Sequence, residues 1–247
     1  TEFATSGSYT IHDIYPTTAK EFFELTIETF TWSEKHRTPV VLLTDKEIGM
    51  TTESVDYSQI KNIEPVTRDT VSFKDKDFEN WTMYGFDSPE MISKFAPVGG
   101  KIKVTATGSA HNAKGELKKN DPETISILMH LEEKIQLHKD EMVIVKEDKQ
   151  PGSDTLIISF GITARTMKDA VKFARQTGKK VSSLAIISLF PIPEAKIIEN
   201  SKGCKRVIIA EENINGQYRK LIEPLLAGKE VIGVNKIGSM ITPGDII

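Results

Sequence analysis

The pattern of apolar and polar residues at the start of the chain predicts a helix followed by a buried strand. Thr17 or Thr18 can cap the helix, Glu21 lies in its first turn, and the helix should end near residues 36–37. The continuous apolar run at residues 40–43 is typical of a strand buried on both faces. The strands that such a strand must pair with are not apparent before it. The segment therefore predicts the tail of a domain that begins elsewhere.

The middle of the chain has weaker periodicity. Residues 51–100 are rich in turn formers and predict a connector with short strands, while residues 101–106 alternate like a half-buried strand. Asp121 and Pro122 form a strong helix start, and the helix should run to about residue 139. Its apolar residues at helical spacing define the expected buried face: Ile125, Leu128, Leu131 and Ile135. His130 should lie on the wet face.

The last third of the chain alternates apolar runs with amphipathic segments. Strands are expected at residues 155–160, 181–189, 206–210 and 231–234, with helices at 163–176, from 193, and at 216–226, the last one shortened by Pro224. Such alternation predicts an α/β fold: a parallel sheet with right-handed crossovers and helices on both faces. The strands that begin near residues 155, 181 and 206 should be the inner ones, because their runs are apolar on both faces.

Composition narrows the class of protein. The hydrophobic fraction of 38% and charged fraction of 27% are those of a globular chain, and the net charge of -3 gives no basic field for nucleic acid. No apolar run is long enough to cross a bilayer. The single cysteine, Cys204, excludes a disulfide framework, a four-cysteine zinc site or an iron–sulfur cluster held by this chain alone. We therefore expect a cytoplasmic protein that contacts neither nucleic acid nor membrane.

Candidate functional residues follow the carboxyl ends of the predicted strands, where open parallel sheets place their ligands. These residues are Thr44, Asp45, Gly161, Thr163, Glu212, Asn213, Gly216 and Gln217. Gly161 and Thr163 could present backbone amides to an anion, but an ordinary tight turn with a threonine cap is the more common case. The pair Glu211-Glu212 could act as acid and base, although a solvated carboxylate beside a helix-capping one is favoured.

Other chemistry is not indicated by the residues. The histidines lack metal-ligand spacing, and neither GxGxxG nor GxxxxGK[ST] occurs, so no metal ligand and no nucleotide loop is assigned. His111 alone lies in a turn-rich loop where an imidazole could be functional, and we assign it no role. The residues thus predict an α/β fold without a self-contained catalytic group, and no catalytic residue is named.

Five segments, in order along the chain, resemble one enzyme family. They are residues 24–45, which contain ELTIETF and EKHRTPVVLLTD, then TGSAHNAKG at 107–115, ISFGITAR at 158–165, LFPIP at 189–193 and ENINGQ at 212–217. These segments are similar to the alpha subunits of 2-oxoacid:ferredoxin oxidoreductases, which act on 2-oxoglutarate, 2-oxoisovalerate or pyruvate. The resemblance implies a C-terminal domain like that of transketolase, preceded by the end of a thiamine pyrimidine-binding domain.

The family implies a reaction that composition does not. A 2-oxoacid, coenzyme A and oxidised ferredoxin give an acyl-CoA, CO2 and reduced ferredoxin, with thiamine diphosphate, Mg and iron–sulfur clusters in the complete enzyme. Its partners would be the beta subunit and the rest of an alpha/gamma assembly. By this resemblance, residues 1–50 are the remnant of the pyrimidine-binding domain, 51–140 a connector and 141–247 the C-terminal domain.

One departure from the family limits what this chain can do. The front of the pyrimidine-binding domain, with its substrate loop and the glutamate that activates thiamine, has no counterpart here. We therefore expect the chain to bind no cofactor by itself, to be inactive alone and to serve structure and assembly in an oligomer. The alternatives are the C-terminal domain of a transketolase or of a 2-oxoacid dehydrogenase beta subunit, and a non-catalytic α/β interaction module.

Overall fold

The computed structural model describes residues 10–60, 63, 64, 66–76 and 78–247, which form two compact units. The first unit contains Ile27–Val40 and Glu64–Met142, together with residues 10 and 11. The second contains His12–Thr26, Val41–Ile63 and Val143–Ile247. The division of the sequence at residues 50 and 140 stays a prediction. No helix among the described residues has the length and apolarity needed to cross a membrane.

The second unit is built on a mostly parallel five-stranded sheet in the order β3-β5-β4-β7-β8. Its strands are β3 (Val145–Asp148), β4 (Thr155–Ser159), β5 (Val181–Ile186), β7 (Arg206–Glu211) and β8 (Glu230–Asn235). The three strands expected to be inner ones, β4, β5 and β7, occupy the three central positions. Strand β3 was not expected; it pairs antiparallel with β5, while the other pairs are parallel. The predicted α/β fold class is confirmed.

Helices cover both faces of this sheet, as expected. They are α4 (Thr163–Gln176), α5 (Glu194–Ser201), α6 (Gln217–Ile222) and α7 (Pro243–Ile246). One face packs Leu156 and Ile209 with Ile197 of α5 and Ile222 of α6. The other packs Ile157 with residues of α4 and α7, including Met167, Ala170 and Ile246. Alternate residues of one strand thus enter opposite cores, which is why β4 reads as a continuous apolar run.

A second, three-stranded sheet has the order β2-β1-β6, with β1 at His12–Ile14, β2 at Val40–Leu42 and β6 at Ser188–Phe190. The strand expected at 181–189 is therefore divided at Ile187, and its end joins another sheet. Ile144 holds the break, because its carbonyl accepts from the N–H groups of Ile187 and Ser188, and its own N–H donates to the Ser188 hydroxyl at 2.8 Å. Strand β2 is half-buried along its length rather than buried on both faces.

The first unit is mainly irregular chain around helices. Helix α3 runs Pro122–His138 within this unit, whereas helix α1, Ala19–His36, begins in the second unit and ends in the first. The short α2, Lys46–Met50, belongs to the second unit. Thr18 and Asp121 cap α1 and α3 through their side-chain oxygens, as the sequence predicted. The strand expected at residues 101–106 is wrong: this segment is irregular, although Ile102 and Val104 are half-buried and Lys103 between them is exposed. Alternation alone does not make a strand without a neighbour to pair with.

Helix α3 is oriented differently from the expectation. Ile125 and Leu128, expected in the core, are 46% and 40% exposed, whereas Ile127 and Ile135 are buried. His130, expected on the wet face, is 7% exposed. The buried face is therefore rotated, and it carries polar residues inward.

Pro224 shortens the last predicted helix. Helix α6 ends at Ile222, and Glu223–Leu226 continue as a single 3₁₀ turn with the proline at its start. Proline lacks the N–H that would continue the α-helical ladder, so the expected shortening is confirmed.

Candidate functional site

Asp45 lies just beyond strand β2 and joins two loops of the second unit. One carboxylate oxygen accepts a hydrogen bond from the Tyr15 hydroxyl at 2.5 Å, and the other accepts from the backbone N–H of Ile162, also at 2.5 Å. Ile162 precedes the first residue of α4, where helix N–H groups have no intrahelical acceptor. One amide of the turn considered for an external anion, that of Ile162, thus already holds a carboxylate of the chain itself.

Gly161 is required at this junction for two reasons. Its φ of +55° lies in the left-handed region that glycine adopts without penalty. A Cβ built at this position would lie 2.7 Å from an Asp45 carboxylate oxygen and 2.9 Å from the Tyr15 ring. The turn after β4 can therefore approach Asp45 and Tyr15 this closely only because residue 161 has no side chain.

Tyr15 is held in its neutral form. Burial, then the hydrogen bond to Asp45, and then the negative charges of Asp45, Glu212 and Glu47 raise the pKa of its phenol far above the usual value. The Tyr15 ring packs against Phe160, with centroids 5.7 Å apart. Tyr15 was not singled out from the sequence; the signal that could have found it is a tyrosine directly after a short buried strand.

Glu212 connects the loop after β7 to two further segments. Its Oε1 accepts from the Thr163 hydroxyl at 3.2 Å and from the backbone N–H of Ile241 at 3.0 Å. The first residue of α4 and the chain before α7 are thereby tied to the end of β7. Thr163 consequently donates to a side chain, and does not act as the side-chain cap of its own helix.

Glu211, the neighbour of Glu212, is 1% exposed and has a different arrangement. Its carboxylate accepts from the backbone N–H groups of Tyr218 and Arg219 at 2.9 and 3.1 Å, and from the Asn213 side chain at 2.6 Å. These amides lie in the first turn of α6, where N–H groups have no acceptor within the helix. The carboxylate accepts from them, and its negative charge interacts favourably with the positive end of the helix dipole. The helix-capping half of the favoured interpretation agrees with this geometry, whereas Glu212, which was expected to be solvated, is half-buried and accepts hydrogen bonds from two donors.

The remaining candidates have local partners. Gly216 has a φ of +60° at the entry to α6, and the exposed Gln217 donates its N–H to Asn213 Oδ1 at 3.1 Å. Thr44 is exposed, and its hydroxyl donates to the Asp45 carbonyl at 3.2 Å. Asp45 and Gly161 thus form one contact group, and Thr163 with Glu212 another. Whether any of the eight candidates faces a cofactor or a channel stays a prediction.

The chemistry of this edge is that of structural carboxylates. Asp45, Glu211 and Glu212 each accept two or three hydrogen bonds from fixed donors of the chain. A group that must move a proton needs a partner in the substrate at hydrogen-bond distance. Within the part of the chain that the structure describes, no group of three or more His, Cys, Asp or Glu could hold a metal ion. These residues do not by themselves fit a thiamine diphosphate–Mg site.

Comparison with known proteins identifies the fold of the chain. A family model described as pyruvate:ferredoxin oxidoreductase core domain II matches residues 153–246, which hold most of the five-stranded sheet. The structure of 2-oxoglutarate:ferredoxin oxidoreductase from Magnetococcus marinus, with 2-oxoglutarate, coenzyme A and succinyl-CoA bound, matches with a TM-score of 0.81 at 21% identity. That match covers 95% of this chain and 40% of the other. The fold is thus that of a 2-oxoacid:ferredoxin oxidoreductase.

Two curated proteins are similar in sequence to nearly the whole chain. The 2-oxoglutarate synthase subunit KorA of Methanothermobacter marburgensis is 27% identical over 242 residues, which is 98% of this chain and 63% of KorA. The ketoisovalerate oxidoreductase subunit VorB of the same organism is 25% identical over 233 residues, or 94% of this chain and 57% of VorB. The chain is therefore similar over nearly its whole length to subunits of a 2-oxoglutarate synthase and a ketoisovalerate oxidoreductase, which agrees with the resemblance found in the sequence. It spans 57–63% of the length of these two relatives.

Proposed function

We propose that this chain is part of the alpha subunit of a thiamine-dependent 2-oxoacid:ferredoxin oxidoreductase and that it serves structure and assembly there. The complete enzyme would convert a 2-oxoacid, coenzyme A and oxidised ferredoxin to an acyl-CoA, CO2 and reduced ferredoxin. The observation that carries the proposal is that the similarity to KorA runs over 98% of this chain. Similarity over the whole chain, including the connector, supports a shared subunit rather than a borrowed domain.

The geometry of the candidate site supports a structural role. The carboxylates at the strand ends hold helix N-termini and loops in place, and Tyr15 stays protonated beside Asp45. In the complete enzyme we place thiamine diphosphate with Mg, and the iron–sulfur clusters, on other parts of the assembly. Thr44 and Asp45 would approach the active-site channel most closely, with the Gly161 and Gly216 turns at subunit contacts. The setting that we propose for this enzyme is the cytoplasm.

Exposed apolar side chains support a role in assembly. On α1, Phe23 is 50% and Phe30 66% exposed; on α3, Ile125 and Met129 are 46% and 58% exposed. Phe23 and Phe30 lie seven residues apart and Ile125 and Met129 four apart, so each pair shares one face of its helix, and exposed apolar faces of this kind are typical of protein contacts. A beta subunit and the remainder of an alpha/gamma assembly are the partners that would cover them, while ferredoxin and coenzyme A would be reactants of the whole enzyme.

The test compares the purified chain alone with the chain co-expressed with the subunits that complete its relatives. Coenzyme A-dependent reduction of ferredoxin by 2-oxoacids is measured, together with thiamine diphosphate binding. We expect no turnover and no tight cofactor binding by the chain alone, and activity after assembly. Decarboxylation by the isolated chain would overturn the proposal, as would a complete enzyme whose activity and assembly are unchanged when this chain is omitted.

Light scattering gives an independent control on the assembly role. The isolated chain should self-associate, or leave α1 unprotected from hydrogen exchange, because Phe23 and Phe30 are exposed. A monodisperse monomer with a protected α1 would contradict this expectation.

A further inference from the structure

The two faces of helix α3 distribute polar and apolar residues in an unusual way. Lys134 and His130 are only 5% and 7% exposed, yet Ile125 and Met129 on the same helix are 46% and 58% exposed. Lysine is almost never fully buried without a partner, because a desolvated charge is expensive. The inward face of α3 therefore needs a reason beyond packing.

Lys134 and His130 line a cavity of about 110 Å³ in the first unit, together with Arg37, Tyr84, Ser93 and apolar residues. This cavity is smaller than the roughly 300 Å³ at which sites for drug-sized ligands begin. The lining residues that the structure describes include two cationic side chains and an imidazole, but no carboxylate. The size and the charge of the cavity fit a small anion.

The hydrogen bonds of both cations go to neutral acceptors. Lys134 Nζ donates to the Arg37 carbonyl oxygen at 3.2 Å, and the Arg37 guanidinium donates to the carbonyl oxygens of Met83 and Ser93 at 2.6 and 3.0 Å. Among the described residues, neither cation forms an ion pair. The Lys134 bond also has a structural use, since Arg37 follows the end of α1 with a φ of +50°. A single carbonyl nevertheless satisfies one ammonium proton and leaves the charge uncompensated.

His130 adds an open hydrogen-bonding position. Its ring stacks on Phe86 with centroids 3.9 Å apart, and its Nε2 lies 3.0 Å from the Met91 carbonyl. A carbonyl only accepts, so Nε2 carries the hydrogen. The other nitrogen, Nδ1, is buried and has no hydrogen-bond partner within the part of the chain that the structure describes. A buried polar atom of this kind requires an explanation, and a ligand is one.

The electrostatics agree with a site that favours negative charge. Burial and the nearby charge of Arg37 lower the pKa of Lys134 to about 8. Burial and the charge of Lys134 lower the pKa of His130, while the Met91 carbonyl and the exposed Glu133 act in the opposite direction. A bound anion favours the protonated forms of both groups, so binding would raise both pKa values.

We propose that this cavity binds a small oxyanion, a phosphate or a carboxylate, with Lys134 and Arg37 supplying the positive charge and with His130, protonated at Nδ1 when the anion is bound, donating a hydrogen bond. Binding of an anion would explain why Lys134 and His130 of α3 are buried. The site shares no residue with the strand-end candidates discussed above. The proposed anion site does not depend on the proposed enzymatic function.

The test is isothermal titration of the whole chain with inorganic phosphate and, separately, with acetate, in chloride buffers of equal ionic strength. The variant is Lys134→Met, which keeps most of the length of the side chain and removes the charge. The matched control is Lys119→Met, an exposed lysine of the same unit. Lys134→Arg serves as the conservative variant that restores the charge.

We expect saturable binding of at least one of the two anions by the wild-type chain and by Lys119→Met. Binding should weaken at least about tenfold in Lys134→Met, since a hydrogen bond to a charged group contributes roughly 1.5–3 kcal/mol. Lys134→Arg should recover part of it. A preference for phosphate or for acetate identifies which oxyanion the site takes. Absence of binding by both, or equal binding by Lys134→Met, would overturn the proposal.

A spectroscopic measurement on the wild-type chain tests the site without relying on a variant that could fold poorly. In the wild-type chain, nuclear magnetic resonance of the Lys134 side chain and the His130 ring should show anion-dependent shifts and raised pKa values. Resonances and pKa values unchanged at saturating phosphate and acetate would also count against the site.

Discussion

Glu211 and Glu212 are adjacent in the chain, yet their carboxylates do different things. Glu211 is buried against the first turn of α6 and accepts from three donors, whereas Glu212 reaches the Thr163 hydroxyl and the Ile241 amide. Glu211 is the last residue of β7 and Glu212 begins the following loop, and their carboxylates bind different segments of the chain. At the residue scale, these side chains position loops instead of forming a coupled acid–base pair.

Gly161→Ala should destabilise the second unit. The alanine Cβ would meet the Asp45 carboxylate oxygen at 2.7 Å and would have to adopt a φ of +55°. Strain and the disturbed Asp45 contacts together should lower the free energy of unfolding by about 2–4 kcal/mol, measured by urea denaturation.

Gly178→Ala is the matched control for Gly161→Ala. Gly178 has a φ of +84°, but a Cβ there meets nothing within 4 Å. Gly178→Ala should therefore lower the free energy of unfolding by only about 1 kcal/mol, which is the cost of placing an alanine in a left-handed conformation. Equal losses in the two variants would mean that the approach to Asp45 contributes nothing.

At the scale of elements, β4 is the central strand of the five-stranded sheet and separates two cores. Leu156 and Ile158 enter one core and Ile157 the other, all three at most 1% exposed. Ile208 on β7 is only half-buried, so the two isoleucines that lie side by side on β4 and β7 differ in burial. The edge position of β8 leaves that part of the face less covered than the centre.

Ile157→Ala should cost about 2–5 kcal/mol of unfolding free energy, because it removes packed atoms from a site that surrounding helices cannot close. Ile198→Ala makes the same chemical change at a residue that is 47% exposed. Its effect should stay within about 0.5 kcal/mol. Denaturant midpoints at constant slope would measure both, and a comparable loss in the two variants would contradict the two-sided core.

For the whole molecule, the dependence of stability on pH reflects two buried groups with opposite effects. Asp13 in the second unit is fully buried, and burial raises the pKa of its carboxyl to about 6. His36 in the first unit is 1% exposed, and burial, with smaller contributions from His138 and Lys35, lowers the pKa of its ring to about 4. Acidification between about pH 6.5 and 4 therefore costs stability through His36 and restores it through Asp13.

Asp13→Asn should isolate the carboxyl effect. A raised carboxyl pKa means that stability is present below the unfolded value of 3.8 and is lost as pH rises through about 6. The variant removes this loss, so its stability relative to wild type should rise by roughly 2 kcal/mol between pH 4 and pH 8, after allowance for solvent screening. Unfolding free energies measured across this range test it; a difference that is flat with pH would refute the assignment.

Much of the fold could be predicted from the sequence because local patterns carry it. The β4, β5 and β7 runs are apolar on both faces, and their helices are amphipathic, so the parallel sheet and its inner strands follow from periodicity alone. The caps of α1 and α3 follow from Thr18 and Asp121, since capping depends on residues only a few positions apart. The resemblance in five ordered segments pointed to the same enzymes that the comparisons found to be similar over nearly the whole chain.

What depends on distant residues was decided by the tertiary structure. The break at Ile187 requires Ile144, and the role of Asp45 requires Tyr15 and the amide of Ile162. The face of α3 that turns inward was misread because Ile125 and Leu128 have the expected spacing, while burial is decided by what packs against the helix. Local periodicity records which residues share a face; only long-range contacts determine which face is covered.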